Sequence, residues 1–188
     1  MNLYTLESER LIITTVNSSY AQAITDFYIR NKEHLLEWED IKEDYFYTKA
    51  YQKMLIKYEQ HATKKGMSVS FWIKERASGE LVGKISVFSI AGGNMSNCMI
   101  GYKLDKDHQS MGYMHEALSE VIRFLFEGLK LHRIDVCILP KNERSKSVVE
   151  KLGFIYEGVN RKFMRINGVW EDHLRYALIN EKYDDTNR

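Results

Sequence analysis

The sequence predicts one α/β domain over residues 1–188, and three observations lead there. A length of 188 residues fits a single domain, at roughly 100–200 residues each. Hydrophobic residues make up 44% and aromatics 12%, which supplies a sizeable core and excludes a disordered chain. The apolar spacing also switches between helical and alternating several times along the chain.

Residues 11–16 form a short β-rich run, after which Asn17 or Ser18 can cap a helix. That helix carries Tyr20, Ala23, Ile24, Phe27 and Tyr28 at helical spacing. Tyr47, Ala50, Tyr51, Met54, Leu55, Tyr58 and Ala62 predict a second helix ending near Gly66, with a polar, acidic stretch at 31–44 between the two. Met67, Val69, Phe71 and Ile73 then alternate with Ser68, Ser70, Trp72 and Lys74, which is strand spacing. Turns at Ser78-Gly79 and Gly92-Gly93-Asn94 lead into strands at 81–90 and 98–104, so the three strands form an antiparallel meander. A long helix at 113–130 presents Met114, Ala117, Leu118, Val121, Ile122 and Leu125, and a strand at 133–139 alternates Ile134, Val136 and Ile138. A short helix carries Val148, Val149 and Leu152 and stops at Gly153, a C′ glycine. Strands at 163–166 and 169–179 flank Asn167-Gly168, a type I′ signal. The predicted order is β-α-α-β-β-β-α-β-α-β-β.

Composition excludes several function classes. Lys and Arg total 27 against 26 Asp and Glu, so no global field draws nucleic acid, although room remains for a local basic patch. Cys98 and Cys137 form neither a disulfide framework nor C-x-x-C, which fits a reduced, cytoplasmic setting. Residues 1–10 lack the apolar region of a signal peptide. The longest uncharged stretch, 85–102, is broken by Ser, Gly and Asn and is not a membrane span. The six histidines show no H-x-x-x-H spacing, so no metal site is expected. Cys137 alternates with core residues and is expected as a packed thiol.

Two segments can hold chemistry. Asp107-His108-Gln109-Ser110-Met111-Gly112-Tyr113-Met114 joins a strand to the start of the long helix, where orphan N–H groups and the helix dipole favour an anion. Gly112 permits close backbone approach, but neither G-K-[ST] nor G-x-G-x-x-G is present. Pro140-Lys141-Asn142-Glu143-Arg144-Ser145 follows a buried strand. There Asn142 and Ser145 either cap the next helix or contact an extended ligand. A β-α-β unit brings both segments to one sheet edge. Glu37, Glu39, Asp40, Glu43 and Asp44, with Trp38, Tyr45 and Trp170, form either an acidic rim for a basic tail or polyamine, or a solvated helix-end cluster.

The block Gly112-Tyr113-Met114-His115-Glu116-Ala117-Leu118 resembles the start of motif A of the GNAT acetyltransferase superfamily. Leu131-His132-Arg133-Ile134, Pro140 to Ser145, Lys151-Leu152-Gly153-Phe154, Glu157-Gly158 and Ile166-Asn167-Gly168-Val169-Trp170-Glu171-Asp172 resemble its ribosomal-protein alanine N-acetyltransferase (RimJ/RimL-like) branch. Leu6-Glu7-Ser8-Glu9-Arg10-Leu11 is similar to that branch's opening. The resemblance implies a mixed, mostly antiparallel sheet of about seven strands with about four helices, splayed between the predicted fourth and fifth strands. It also implies acetyl-CoA in the splay and direct acyl transfer to an amine in a ternary complex. On the same resemblance the backbone at Tyr102, Lys103 and Leu104 pairs with pantetheine. Gln109, Ser110, Met111, Gly112, Tyr113 and Met114 hold the pyrophosphate. Asn142 contacts the pantetheine arm, and Ser145 faces the sulfur as the catalytic hydrogen-bond donor. Trp38, Tyr45 and Trp170 fall on the substrate side.

The implied acceptor is a protein N-terminal α-amine, such as that of a ribosomal protein, with no membrane or direct nucleic-acid partner. A small-amine acceptor (an aminoglycoside or polyamine) and a non-catalytic acyl-CoA-binding module stand beside it. Some members of the branch place a glutamate where this chain has Met164, so that base does not carry over. Glu39, Glu157, Asp172 and a water chain remain open for the role.

Overall fold

Alternation at Val69, Phe71 and Ile73 becomes the middle of one eight-stranded sheet. The computed structural model describes residues 4–182. Its strands are β1 (Thr5–Glu7), β2 (Leu11–Thr14), β3 (Val69–Glu75), β4 (Leu81–Ala91), β5 (Asn97–Leu104), β6 (Arg133–Ile138), β7 (Ile155–Ile166) and β8 (Val169–Ile179), in spatial order β1-β2-β3-β4-β5-β6-β8-β7. The helices are α1 (Ala21–Arg30), α2 (Lys32–Leu35), α3 (Lys49–Lys64), α4 (Tyr113–Arg123) and α5 (Glu143–Lys151). This is the expected mixed α/β class, with the expected meander at β3, β4 and β5.

Side chains alternate across a strand, so β3 serves two cores. Phe71 and Ile73 pack with Met114, Ala117, Leu118 and Val121 of α4 and with Val149 of α5. Trp72, between them, packs with Ile24, Phe27 and Tyr28 of α1 and Ile56 of α3. α1 and α3 therefore cover one face of the sheet, and α4 and α5 the other.

The chain adds two elements to the predicted set and lengthens a third. β1 holds only three residues, too few for a period to register. α2 is a single helical turn inside the acidic stretch. β7 begins at Ile155 rather than 163, because register shifts at Tyr156/Gly158 and Asn160/Met164 break its alternation. Asn17 supplies the first cap, accepting from the Ser19 N–H at 2.8 Å, although the turn it opens is 3-10 before α1 begins. The long helix leaves α geometry at Phe124 and ends in a π turn at Phe124–Gly128.

Among the described residues, only one strand pair is parallel. β5 and β6 are in register from Asn97–Arg133 to Ile100–Val136 and then part. β5 continues to Leu104 against β4, while β6 continues to Ile138 against β8. One backbone edge of 101–104 is consequently open to the gap. The end of β5 is pinned by Asp105, which is 1% exposed. Its carboxylate accepts from Arg30 Nε (2.6 Å), Asn31 Nδ2 (2.8 Å) and the Asp107 N–H (3.0 Å), so β5 is fastened to the α1–α2 junction. Among the described residues, no helix is long and apolar enough to cross a membrane.

Candidate active site

The gap between β5 and β6 opens into a cleft of about 1340 Å³. Tyr102, Lys103 and Leu104 line it from β5, and Gln109, Ser110, Gly112, Tyr113 and Met114 from the start of α4. Asn142 and Ser145 line it from the start of α5, and Trp38 from the stretch after α2. The two segments singled out in the sequence thus meet at one place. Met111 does not line the cleft: its side chain is half-exposed, and its carbonyl accepts from Arg10 Nη1 at 3.0 Å.

The α4 end is prepared for an anion. The first bond of the helix runs from the Glu116 N–H to the Gly112 carbonyl at 3.0 Å, so the N–H groups of Tyr113, Met114 and His115 project from its terminus. Gly112 has φ 78°, in the left-handed region. A Cβ there would meet Arg10 Nη2 at 3.5 Å, an ordinary contact, so glycine is required by the backbone angle rather than by space. Glu116 would compete with an anion for this terminus, but its oxygens accept from Ser8 Oγ (2.7 Å), the Arg10 N–H (2.9 Å) and Arg10 Nε (2.7 Å). Burial raises the Glu116 pKa, and these partners outweigh it and hold it low. The carboxylate is therefore ionised, paired and directed at the β1–β2 turn.

At the α5 end one of the two polar residues takes the capping role. Asn142 is the N-cap, with Oδ1 accepting from the Ser145 N–H at 3.1 Å, which leaves its amide donors free to turn to the cleft. Ser145 is not the cap, and its hydroxyl has no hydrogen-bond partner among the described residues. Tyr102 spans the gap and donates its O–H to the Ser145 carbonyl at 3.1 Å. Burial pushes the Tyr102 phenol up, so it stays a neutral donor. Gln109 also crosses the mouth, bonded to His34 Nε2 at 2.7 Å and to Arg144.

Charge gathers on the other side of β5. Lys84 and Lys103 face each other across the β4–β5 ladder, and each ammonium is matched by a glutamate. Lys84 Nζ lies 2.5 Å from Glu59, and Lys103 Nζ lies 2.7 Å from both oxygens of Glu39. Burial lowers the Lys84 pKa, but Tyr28 and Glu59 outweigh it and the net shift is upward. Cross-strand lysines repel, and the two carboxylates offset that. Glu39, Lys84 and Lys103 all line the cleft, and sequence spacing had no means of pairing them.

Of the three acids left open as bases, only Glu39 lines the cleft. Glu157 is bound by Arg133 (2.9 Å to Nη1) and faces Arg175 at 3.3 Å, while Asp172 accepts from the Lys162 N–H at 2.7 Å. Met164 is 47% exposed on β7 and also lies away from the cleft. Neither Tyr45 nor Trp170 lines it: they are 59% and 58% exposed. Tyr45 stacks edge-on with Tyr51, and Trp170 pairs with Arg165 in the β7–β8 hairpin. The hairpin tip instead holds the Trp38 stretch through the backbone and side chain of Asn167. Asn167 accepts from the Ile41 N–H (2.8 Å) and donates its own N–H to Asp40 (2.7 Å) and its amide to the Leu36 carbonyl (3.1 Å). Burial pushes the Cys98 thiol up to about 12, and the Cys137 thiol is raised by the same cause, so neither is an activated nucleophile. No cluster of metal-ligating side chains occurs among the described residues.

Residues 10–155 match the acetyltransferase (GNAT) domain family. The chain belongs to the GNAT acetyltransferase family. This acetyltransferase is 34% identical to the Bacillus subtilis protein named Probable N-acetyltransferase YjcK, over 93% of this chain and 97% of that one. It is 29% identical to the ribosomal protein uS5-alanine N-acetyltransferase of Escherichia coli, over 92% and 89%. The crystal structure of ribosomal-protein-S5-alanine acetyltransferase from Vibrio fischeri superposes with a TM-score of 0.91 at 30% identity, covering 96% of this chain and 99% of that one. GNAT acetyltransferases use acetyl-CoA. The groups present suit such a molecule: an open strand edge for an amide-bearing arm, and a helix N-terminus behind a left-handed glycine for its phosphates.

Proposed function

We propose that the cleft transfers an acetyl group from acetyl-CoA to the N-terminal α-amine of a protein, such as a ribosomal protein. One observation carries it: the open β5 edge and the bare N-terminus of α4 face the same cleft, and Glu39 lines its far side. The backbone of 101–104 and the side chain of Asn142 would hold the pantetheine arm. The N–H groups from Gln109, Ser110, Gly112, Tyr113 and Met114 would hold the pyrophosphate. Bound there, acetyl-CoA supplies an activated thioester.

The remaining work falls to this chain's own side chains. The Ser145 hydroxyl, without a hydrogen-bond partner among the described residues, donates a hydrogen bond to the departing sulfur. A serine is too weak an acid for more. Glu39 accepts the proton that the acceptor ammonium gives up, directly or through water, so that the neutral amine attacks the thioester, and Lys103 holds Glu39 in place with a bond to each oxygen. An α-amine, with a pKa of roughly 8, gives up that proton more readily than a lysine at roughly 10.4.

Kinship to a uS5-alanine N-acetyltransferase supports the protein acceptor. The charge around the cleft disfavours a polyamine, because Glu39 and Glu59 are each already matched by a lysine. The test is a thiol-release assay with acetyl-CoA against Ala-first peptides, polyamines and aminoglycosides, with mass spectrometry locating the acetyl group. The account expects acetylation of the peptide α-amine. Turnover confined to small amines, or cofactor binding with no turnover across the panel, would overturn it.

A further inference from the structure

We infer that the outward face of α3 docks the phosphate backbone of a single-stranded nucleic acid. Lys49, Lys53, Lys57 and His61 follow at intervals of four along this helix, with Lys64 and Lys65 at its end, and all six are exposed. Four residues of helix advance about 6 Å, and the series from Lys49 to His61 with Lys64 spans an arc of about 120°. None of the five lysines has an ion-pair partner among the described residues. The one acid of α3, Glu59, points inward to Lys84.

Ordinary solvated helices relieve such rows with acids at i,i+4, and like charges at that spacing cost helix stability. The helix dipole accounts for Lys64 and Lys65 at the C-terminus. It does not account for Lys49, which stands at the unfavourable end, nor for Lys53 and Lys57 in the middle. A slanting row of cations that advances about 6 Å along the helix axis at each step suits successive phosphates of one strand. Tyr58 and Met54, 69% and 53% exposed, border the row and offer surfaces for bases to stack on. A membrane is a poorer match, because the apolar side of α3 is already used against α1 and β3 and cannot insert. The near-neutral net charge of +1 hides this face by averaging it with the acids of 33–44.

The experiment measures fluorescence anisotropy of labelled 20-nucleotide oligo-U and oligo-dT with the full chain, between 50 and 200 mM salt. Both strands are expected to bind. The double variant Lys53→Ala, Lys57→Ala is expected to weaken binding about 25-fold at 0.1 M salt and to flatten the log–log salt slope by about 1.4, at 0.7 per phosphate lost. Its peptide acetylation and circular dichroism should match the parent, since neither residue touches the cleft. A charge-matched control, Arg161→Ala with Arg165→Ala on the β7–β8 hairpin, should leave binding unchanged. Absence of binding at 50 mM salt, or equal losses in the two variants, would overturn the proposal. Tighter binding of poly-glutamate than of either oligonucleotide would overturn it in favour of an acidic polypeptide.

Discussion

Both oxygens of Glu39 sit 2.7 Å from Lys103 Nζ, so this carboxylate is held in one orientation at the edge of the cleft. Glu39→Gln preserves its size and one of its two bonds to Lys103 but removes the proton acceptor. Peptide acetylation at pH 7 is expected to fall roughly 100-fold in kcat. The deficit should shrink as the pH rises past the amine's pKa, where the substrate arrives neutral. A deficit independent of pH, or one confined to KM, would leave Glu39 a purely structural partner of Lys103. A cap at Asn142 or Ser145 was legible in the sequence, because helix-start chemistry is local. Which of the two caps was not, since only the turn geometry decides that Asn142 accepts from the Ser145 N–H. Glu39 was one of several acids in a polar stretch. Its selection depends on Lys103, 64 residues away, and no local pattern records that distance.

At the scale of elements, the site depends on β5 leaving β6 after Ile100 and ending where α1 meets α2. Asp105 makes that junction. Burial raises its pKa, but bonds from Asn31, the Asp107 N–H, Arg30 and His108 outweigh it and hold the carboxyl at about 2. Against an unfolded value of about 3.9, the lowered pKa contributes about 2 kcal/mol at neutral pH. Because the folded pKa is the lower one, that contribution is complete above pH 4 or so and is lost as the pH falls toward 2. Urea unfolding should therefore show Asp105→Asn less stable than the parent by about 2 kcal/mol at pH 7. At pH 2.5 the gap should be less than half as large, and an equal gap at both would contradict this origin. The meander and α4 were readable because β3, β4, β5 and α4 have clean periods. β1, α2 and the first half of β7 were not: two are too short to show a period, and β7 is broken by register shifts.

Across the whole molecule, two halves with different legibility share one cleft. The half proposed to hold the acyl donor is built from contiguous segments, 109–114 and 140–145, whose residue types announce a helix N-terminus and a strand end. The half proposed for the acceptor is assembled from distant pieces. The Asn167-Gly168 turn, readable as a turn, grips the Leu36–Ile41 stretch more than 120 residues earlier in the chain, by contacts that spacing alone does not reveal. Trp38 therefore lines the cleft while Tyr45 and Trp170 do not.

The central claim is that the parting of β5 from β6, faced by the N-terminus of α4, is where acetyl-CoA lies. Hydrogen–deuterium exchange with and without coenzyme A tests it most directly. The account predicts slowed exchange in peptides covering 101–104 and 110–115, with α3 unaffected. Saturating coenzyme A that protects neither segment, or protects only amides elsewhere, would contradict it.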